Sequence, residues 1–205
     1  MVDYNLPDIE LLNSDDVFGY KIFKPAKTYV VLGRSNAVES STYMELLSDN
    51  NIEVIKRPSG GEAVLISPKT VIIAIKFPIV KGKKPTHYFY TANNSITECL
   101  EYFGVEGINS NGISDLSIGN KKILGSAIYK HKDSMFYHAV LNLSEDKNII
   151  GKYLKHPSKE PDYRKGRPHF DFITSVNAEG YNISFYDIYS YLNTRLSKLN
   201  KLILL

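Results

Sequence analysis

The sequence is poor in several features that would assign a protein to a class directly. It has one cysteine, Cys99, so no disulfide can form within the chain, and we expect a reducing, cytoplasmic location. The first ten residues are acidic and carry no apolar stretch, so we expect no signal peptide. The longest apolar run, residues 71–75, is far too short to span a bilayer, so we expect no association with a membrane.

Signature motifs of several large enzyme classes are missing as well. There is no Walker A phosphate loop, no HExxH zinc motif and no serine nucleophile elbow. The net charge is only +3 over 205 residues, so we expect no nucleic-acid partner. Lysine and arginine do cluster between residues 152 and 169. Such a basic region suits phosphate or an acidic protein partner, and it equally suits a solvated surface.

The overall composition is that of a globular domain. Hydrophobic residues make up 43% and charged residues 23% of the chain, so we expect a folded core and a single domain over residues 1–205. β-Rich stretches dominate the first half, and the few helical patterns do not alternate with strands. This order favours an α+β fold with a mixed or antiparallel sheet and flanking helices. The predicted strands are 28–33, 52–57, 63–66, 71–78, the two arms of 113–130, and 135–143.

The clearest helical pattern covers residues 86–103. Phe89, Ile96 and Cys99 fall on one face of this helix. Cys99 is therefore predicted to be a core residue rather than a nucleophile, since a free cysteine packs as a small hydrophobic residue. The other predicted helices are 41–51 with Thr42 and Glu45 as a capping box, 147–154, and 184–202 with Ser184 and Asp187 as caps.

A glycine pair follows a basic residue in 57-RPSGG-61. Arg57 offers a planar fork for phosphate or carboxylate, and Gly60 and Gly61 permit close approach of the backbone to a ligand. The same residues suit a tight structural turn equally well. The segment therefore indicates either an anion site or a turn.

Residues 112–127 place an acid and a lysine on opposite arms of a predicted hairpin. Gly119-Asn120 is a strong two-residue turn signal, and pairing about it brings Asp115 near Lys122. Such a lysine could hold a carbonyl or phosphate oxygen, whereas an ordinary cross-strand ion pair would contribute about 0.2–1 kcal/mol. The small residues 125-GSA-127 suggest close approach of another group to the strand.

Two further features contain residues that can carry chemistry. His138 lies in mid-strand on an apolar face, where a histidine is more often a satisfied core residue than a ligand. Residues 155–170 are rich in proline, glycine and charge, and they are longer than the usual connection between elements. Their Arg164, Arg167 and His169 suit either an anionic ligand or a solvated loop.

These segments follow one another in a specific order. The chain reads RPSGGxAV, then SDL, KKIxGSA, FxHxxL and YLKxPSK followed by arginine. Each motif is weak alone, but the ordered set resembles the lipoate-protein ligase A family, in the wider biotin and lipoate ligase and transferase group. The resemblance covers residues 28–176. The GRGRxG loop of biotin ligases is absent.

The resemblance implies a biotin/lipoate ligase-like catalytic domain that binds a lipoyl or octanoyl group in a tunnel. Members of the family use ATP, with Mg²⁺, to activate the acid as an acyl-adenylate. A lysine of a lipoyl carrier domain then attacks this intermediate. The implied carrier is an H protein or the E2 subunit of a 2-oxoacid dehydrogenase.

The resemblance also implies roles for individual residues. Lys122 would contact the acyl carbonyl and the phosphate oxygen, where a fixed cation stabilises the transition state more than the ground state. Asp115 would help to place Mg²⁺ with the adenylate, or the incoming amine. His138 would lie near the acyl pocket, and Arg167 in a loop that caps the adenylate. The other implied substrate- or adenylate-binding residues are Arg57, Ser59, Gly60, Gly61, Ala63, Gly125, Ser126 and Ala127.

The chain departs from the family pattern at four positions. Ser114 stands where asparagine is usual, and Glu62 stands where a third glycine is usual. Ile66 and Ser67 replace a histidine and an acid. The nucleotide side of the site is therefore expected to differ more than the acyl side. Because the sequence has one terminal helix in place of the family's C-terminal accessory domain, we expect either a separate accessory chain or transfer activity alone.

Two other functions remain open on the sequence. A lipoyl or octanoyl transferase would move the acyl group between carriers through a cysteine thioester. Its nucleophile would have to be Cys99, which is predicted to lie on a helix away from the other motifs. A non-catalytic relative that binds an acyl group or a carrier is suggested by Glu62, Ser114 and Ile66.

Overall fold

Ten strands, seven α-helices and two 3-10 helices (Asp162–Arg164 and Asn177–Glu179) lie in the part of the chain that the structure describes, residues 2–199 of a computed structural model. The strands are β1 (Val2–Asp3), β2 (Gly19–Phe23), β3 (Tyr29–Leu32), β4 (Glu53–Lys56), β5 (Val64–Ile66), β6 (Thr70–Pro78), β7 (Ile108–Asn111), β8 (Asp115–Ile118), β9 (Lys121–His131) and β10 (Ser134–Asn142). The helices are α1 (Asp8–Asn13), α2 (Val38–Ser41), α3 (Met44–Asp49), α4 (Pro85–Tyr102), α5 (Lys147–Tyr153), α6 (His169–Phe172) and α7 (Phe185–Ser197).

The strands form two sheets within the described residues. The larger sheet has the order β2-β6-β10-β9-β8-β7, and all its neighbouring strands are antiparallel. The smaller sheet has the order β1-β4-β3-β5 and is mixed, with β4 parallel to both β1 and β3 and with β5 antiparallel to β3. The predicted α+β fold with a mixed and antiparallel sheet core is confirmed.

The central strand β6 explains why its sequence is an almost unbroken apolar run. It lies between β2 and β10, and both of its faces are covered. Ile73, Ile75 and Phe77 face the main core, where helices α4 and α7 pack on the sheet. Complete burial of each such side chain stabilises the fold by about 1.5–3 kcal/mol. The candidate site lies on the opposite face.

That opposite face of the larger sheet packs against α1 and the smaller sheet. Ile72 contributes to a cluster with Val31 and Ile55 of the smaller sheet. Ala74 contributes to a cluster with Leu12 of α1 and with Phe136 of β10. His138 shares this face, because it is two residues along β10 from Phe136. The two sheets therefore meet around the strands that carry the predicted site residues.

The long predicted helices are largely confirmed. Helix α4 buries Ile96, Cys99 and Leu100 in the main core. Helix α7 begins with the predicted capping box, in which the Ser184 hydroxyl and the Asp187 carboxylate hold each other's backbone N–H groups. The predicted part of this helix from 200 to 202 lies outside the described residues.

The predicted helix over 41–51 is wrong in its first half. Thr42 does not cap a helix; it pairs with Leu154 in an isolated bridge, and its hydroxyl donates to the Val38 carbonyl at 2.8 Å. Two short helices, α2 and α3, flank this bridge, and α3 has no side-chain cap. The distant strand-like contact outweighs the local capping signal at Thr42.

Six short strands and α-helices were not predicted. They are β1, α1, β2, α2, β7 and α6, none of which exceeds six residues. Their sequences carry too few periodic positions to indicate a helix or a strand. Among residues 2–199, no helix has the length and apolar character needed to cross a membrane.

Candidate active site

The glycine turn, residues 57–62, connects β4 to β5 and is shaped from within by Arg57. This side chain is buried, and its Nε donates to Ser59 Oγ at 3.0 Å and its Nη1 to a carbonyl of β3 at 3.2 Å. Its Nη2 donates to the carbonyls of Gly60 and Glu62 at 2.8 and 2.9 Å. Burial lowers the pKa of Arg57 to about 10, which leaves it charged at neutral pH. Arg57 thus fixes the turn, and phosphate binding by Arg57 stays a prediction.

Two glycines allow the turn to touch the end of β3. A Cβ on Gly33 would lie only 1.9 Å from the carbonyl oxygen of Gly61, a backbone atom that cannot move aside cheaply. Gly61 itself has a φ of +93°, which strains any residue with a side chain. Gly60 differs, because a Cβ there would meet nothing within 4 Å. The backbone at Gly60 is therefore open to close approach by another molecule.

A buried cluster of Tyr4, Asp8, Arg57, Ser59 and His138 joins the glycine turn to β10 and α1. Ser59 Oγ lies 2.5 Å from His138 Nε2. The other ring nitrogen, Nδ1, lies 3.7 Å from the fully buried Asp8 carboxylate. Asp8 in turn accepts a hydrogen bond from the Tyr4 hydroxyl at 2.8 Å. The buried cluster therefore links the N-terminal segment to the predicted ligand turn.

The charges of the buried cluster favour one protonation state of His138. The negative Asp8 carboxylate favours a proton on Nδ1, so Nε2 accepts from the Ser59 hydroxyl. Burial lowers the pKa of His138, with the positive charge of Arg57 acting in the same direction. Burial also raises the pKa of Tyr4, and the Asp8 charge adds to this. His138 is thus a satisfied, buried residue that also touches the candidate site.

The hairpin cluster consists of Ser114, Asp115, Lys122 and Tyr163. Lys122 Nζ lies 2.9 Å from Asp115 Oδ2, so the predicted proximity of these residues is confirmed. The same Oδ2 accepts from the Tyr163 hydroxyl at 2.9 Å, and Oδ1 accepts from Ser114 Oγ at 3.0 Å. The Asp115 side chain is 6% exposed, whereas that of Lys122 is 27% exposed. Lys122 is therefore the more accessible partner of the pair.

The local sequence explains how this hairpin forms. Ile118 pairs with Lys121, so Gly119 and Asn120 are the two turn residues, and Gly119 has a φ of +57°. A register shift between Leu116 and Ser117 interrupts the ladder of β8 and β9. Such an irregularity re-aims the side chains beside it. It lies between the turn and Asp115.

Small residues on β9 allow the lysine to reach the carboxylate. A Cβ on Gly125 would lie 2.8 Å from both Cε and Nζ of Lys122, so the lysine chain passes directly over this glycine. Ser126 donates from its hydroxyl to the Ser114 carbonyl at 2.7 Å. Ala127 stands opposite His138 in the pairing of β9 and β10. The close approach predicted at 125-GSA-127 is made, at Gly125, by Lys122 itself.

The crossing segment, residues 155–168, runs from the end of α5 to the start of α6 beside the hairpin cluster. Its Tyr163 bonds to Asp115, as described above, and was not singled out from the sequence. Arg167 Nη2 donates to the Asn120 carbonyl at the hairpin tip, at 3.0 Å. Burial raises the pKa of Tyr163, and the Asp115 charge adds to this effect, so Tyr163 remains a hydrogen-bond donor.

Two basic residues near the end of this segment face inward. Arg164 is buried; it stacks on the Phe172 ring at 4.7 Å and donates to the Arg167 carbonyl. His169 Nε2 lies 3.1 Å from the Lys155 carbonyl, and burial lowers the pKa of this histidine. These two residues organise the loop, so the structure does not favour the expectation that they bind an anion.

Two clefts lie beside the predicted site residues. A cleft of about 520 Å³ is lined by Arg34, Lys56 and Arg57 together with Tyr129 and His131 of β9. Residues 125–129 are only half-buried although β9 lies inside the larger sheet. A second cleft of about 460 Å³ lies between the hairpin tip and the crossing segment. Residues 125–129 of β9 are therefore accessible to solvent, with Gly125 beneath Lys122 and Ala127 opposite His138.

Asp115 alone provides few ligands for the predicted Mg²⁺ ion. Residues 2–199 contain no group of three or more histidine, cysteine or acidic side chains that could hold a metal ion. Asp115 offers one carboxylate, whose oxygens already accept from Lys122, Tyr163 and Ser114. Mg²⁺ commonly binds through one or two carboxylates together with substrate phosphates. Asp115 fits that arrangement only if the substrate supplies phosphate oxygens.

The four departures from the family motif have structural explanations. Ile66 is fully buried in the smaller sheet, and Ser67 donates to the buried Glu145 carboxylate at 2.5 Å. Ser114 donates to Asp115, and Glu62 contacts the crossing segment. Positions 66 and 67 therefore serve the fold, whereas positions 62 and 114 border the candidate site. Ala63 packs in the cluster beside α5, away from the hairpin cluster.

Cys99 occupies the position that its sequence pattern predicts. It is fully buried in the main core, and burial raises the pKa of its thiol to about 12. A thiol in that state is a poor nucleophile at neutral pH, because the thiolate is the reactive form.

Comparison with known proteins assigns the chain to one family. Residues 20–197 match the family described as lipoyl protein ligase A/B catalytic domain. The chain therefore belongs to the lipoyl protein ligase A/B catalytic domain family. Lipoate–protein ligase 1 of Staphylococcus aureus is 28% identical over 141 residues, which cover 68% of this chain and 42% of that protein. Lipoate–protein ligase 1 of Plasmodium falciparum is 24% identical over 180 residues, 88% of this chain and 40% of that protein.

Solved structures share the fold. A bipartite lipoate protein ligase from Thermoplasma acidophilum, described with its E2 lipoyl domain, has a TM-score of 0.76 at 19% identity, covering 91% of this chain and 72% of that chain. Another structure from T. acidophilum, a lipoate ligase-like protein with bound lipoic acid, has a TM-score of 0.78 at 17% identity, covering 94% and 77%. A lipoate-protein ligase A bound with ATP has a TM-score of 0.75 at 19% identity, covering 91% and 73%.

The curated relatives are longer than this chain. The chain spans about two fifths of the length of those it matches, between 36% and 42% for five of them.

Proposed function

We propose that this chain is the catalytic domain of an ATP-dependent lipoate-protein ligase. It would attach lipoate, or octanoate, to a lysine of a lipoyl carrier domain through an acyl-adenylate. The observation that carries the proposal is Lys122, whose partly exposed ammonium is held 2.9 Å from Asp115 beside the half-buried surface of β9. Membership in the family and relatives named lipoate–protein ligase support it.

The proposed reaction has two steps. In the first, a carboxylate oxygen of the acid attacks the α-phosphorus of ATP, and pyrophosphate leaves. In the second, the carrier lysine's neutral amine attacks the acyl carbon of the adenylate, AMP leaves, and the amine loses a proton to form the amide. Negative charge develops on the acyl oxygen and on the departing phosphate during the second step. A preorganised cation at that point lowers the barrier, because it binds the transition state more strongly than the ground state.

Lys122 is suited to this role because it can exchange partners. Its ammonium pairs with Asp115, and the end of its side chain lies over Gly125, where no side chain obstructs it. When the ammonium turns to a substrate oxygen, Tyr163 and Ser114 still donate to the Asp115 carboxylate. Asp115 therefore keeps its orientation and can accept the proton or hold the incoming amine.

Mg²⁺ and ATP belong to the proposal as expectations of the family. Bound Mg²⁺ would neutralise phosphate charge during adenylation, and Asp115 is the residue that would hold it. The ATP-bound structure of a lipoate-protein ligase A supports nucleotide binding in this family. Arg57 and the open backbone at Gly60 form the side of the site where an anion would approach.

The proposed macromolecular partners are a lipoyl carrier domain and a separate accessory chain. The carrier would be an H protein or the E2 subunit of a 2-oxoacid dehydrogenase. The archaeal bipartite ligase, described with its E2 lipoyl domain, supports both expectations. We place the reaction in the cytoplasm, and we treat residues 1–205 as one catalytic domain.

The experiment that tests the proposal is direct acylation of a carrier. The chain would be incubated with ATP, Mg²⁺, lipoate and an apo lipoyl domain, with and without a candidate accessory chain. Mass spectrometry should detect lipoate on one lysine of the carrier. If neither an acyl-adenylate nor an acylated carrier forms under any of these conditions, the ligase proposal is wrong and binding without catalysis becomes the better account.

A cysteine-dependent transferase is the competing enzyme. Burial of Cys99 and its raised thiol pKa argue against it. A Cys99→Ala variant should therefore keep its full transfer rate. Complete loss of transfer in a folded Cys99→Ala protein would favour the thioester mechanism instead.

A further inference from the structure

The carboxylate of Glu62 contacts two other segments of the chain. Its Oε1 accepts from Ser158 Oγ at 3.0 Å and from the Lys159 backbone N–H at 3.2 Å. Its Oε2 accepts from Asn36 Nδ2 at 3.3 Å. One side chain on the glycine turn therefore holds the beginning of the crossing segment. A glycine at this position, as in the family motif, could make none of these three contacts.

The later part of the crossing segment is attached to a different sheet. Tyr163 bonds to Asp115 on β8, and Arg167 bonds to the Asn120 carbonyl at the hairpin tip. The hairpin belongs to the larger sheet, whereas the glycine turn connects strands of the smaller sheet. The crossing segment thus joins the two sheets across the side of the site that holds Lys122.

Internal contacts make the crossing segment a connected unit. Glu160 Oε1 accepts from the Gly166 backbone N–H at 2.8 Å. Arg167 Nη2 donates to the Tyr163 carbonyl at 2.9 Å, and the Arg164 guanidinium packs on the ring of Phe172. A constraint on one end of such a unit is transmitted to the other, because the bonds between them fix its shape.

We infer that Glu62 is a positioning residue for the proposed acyl transfer. It holds the crossing segment on the glycine turn, and through that segment it keeps the Tyr163 hydroxyl on Asp115. The effect on reaction rate rests on the proposed function, whereas the anchoring of the segment can be measured without it. Glu62 does not touch the reacting atoms in this account; it acts through Tyr163.

Hydrogen exchange measures the anchoring directly. Glu62→Ala should speed amide exchange in residues 156–163 by roughly three- to tenfold, the range expected for loss of one or two hydrogen bonds. Glu62→Gln retains an oxygen acceptor and should give an intermediate effect. Exposed Glu45 on α3 provides the matched control, and Glu45→Ala should leave these amides unchanged. Helix α7 serves as an internal reference for global stability.

A double-mutant cycle tests whether Glu62 acts through Tyr163. Glu62→Ala and Tyr163→Phe should each lower the rate constant for transfer by roughly three- to tenfold, and the double variant should be no slower than the slower single variant. Glu62→Gln should recover part of the rate. A purely structural role for Glu62 would give additive losses and no such recovery. Tyr186→Phe on α7, an exposed tyrosine away from the candidate site, is the control for the loss of a hydroxyl.

The outcomes separate this inference from the proposed function. Unchanged exchange in residues 156–163 of the Glu62→Ala protein would overturn the inference, whether or not the chain transfers an acyl group. Faster exchange with additive rate losses would also overturn it, because Glu62 would then not act through Tyr163. If no acyl transfer is found at all, the proposed function fails, and the exchange experiment alone decides whether Glu62 anchors the segment.

Discussion

The buried cluster and the hairpin cluster each contain a cation and a carboxylate, but they differ in how free the cation is. Arg57 is 7% exposed and makes four hydrogen bonds to the chain around it. The Lys122 side chain is 27% exposed, and Asp115 is its one acidic partner among residues 2–199. Arg57 cannot leave its partners without exposing buried carbonyls, whereas Lys122 can turn to a ligand.

This difference in exposure indicates that Arg57 stabilises the fold and that Lys122 takes part in the chemistry. A buried charged network holds a shape, because breaking any one bond leaves a polar group unsatisfied. The Lys122 side of the hairpin pair is open to solvent, and Asp115 keeps two hydroxyl donors when the ammonium moves, so these partners can separate at smaller cost than those of Arg57. The buried cluster should therefore matter mainly to stability, and the hairpin cluster mainly to catalysis. Substitutions in the buried cluster should mainly lower the free energy of unfolding, and substitutions in the hairpin cluster should mainly lower the transfer rate.

Arg57→Met should produce the largest loss of stability. The substitution keeps apolar bulk but removes the donors to Ser59 Oγ and to three carbonyls, so we expect a loss of about 3 kcal/mol in the free energy of unfolding. Urea denaturation followed by circular dichroism provides the measurement. Arg34→Met is the control, since Arg34 is exposed, and it should change stability by less than about 0.5 kcal/mol. A loss below about 1 kcal/mol for Arg57→Met would show that the buried cluster is not a supporting network.

Gly125→Ala should impair transfer while the fold persists. The new Cβ would meet the end of the Lys122 side chain at 2.8 Å and displace it from Asp115. Because that lysine end is flexible, we expect a change in stability of about 1 kcal/mol or less, and a transfer rate roughly tenfold lower. Carrier acylation rates and thermal unfolding measure the two effects. An unchanged rate would mean that the position of Lys122 over Gly125 is not needed for the reaction.

The pH dependence of the free energy of unfolding should contain a contribution from the protonation of His138 in the buried cluster. Burial lowers its pKa in the folded chain, so the unfolded chain takes up a proton first as the pH falls below about 6.5. The native state therefore loses stability with falling pH, by at most about 1.4 kcal/mol per pH unit from this group. Asp8 favours protonation of the ring, and the positive charge of Arg57 opposes it.

A His138→Gln variant should remove this contribution. Its free energy of unfolding should fall less steeply between pH 7 and pH 5 than that of the parent chain, in urea titrations at each pH. His156→Gln, on the exposed crossing segment, is the matched control and should follow the parent. Parallel curves for the parent and His138→Gln would show that His138 titrates alike in the folded and unfolded chain.

The sequence predicted those parts of the site that depend on local geometry. Lys122 and Asp115 were expected to meet because a two-residue turn at Gly119-Asn120 fixes the register of the strands around it. Cys99 was expected in the core because helical spacing of apolar residues defines a face. Both signals lie within a short stretch of chain.

Contacts between loops that are distant in the sequence could not be predicted from local patterns. Tyr163 and Asp115 are 48 residues apart, and Ser158 and Glu62 are 96 residues apart. No periodicity relates such positions, and irregular segments carry no register. The same limit explains the error at Thr42, where a bridge to distant Leu154 replaced the expected helix cap. The resemblance to the lipoate-protein ligase A family placed the motifs in order, but it gave no account of Glu62.

The central claim is that Lys122 provides the cation for acyl transfer, and one paired substitution tests it most directly. Lys122→Ala and Lys121→Ala would be compared for acylation of an apo lipoyl domain by mass spectrometry, with unfolding curves for both. Lys121 is the adjacent lysine and pairs instead with Glu179 at 3.1 Å. We predict a loss of roughly a hundredfold or more in transfer for Lys122→Ala, a near-parental rate for Lys121→Ala, and intact folding in both. A folded Lys122→Ala protein that transfers at the parental rate would contradict the account.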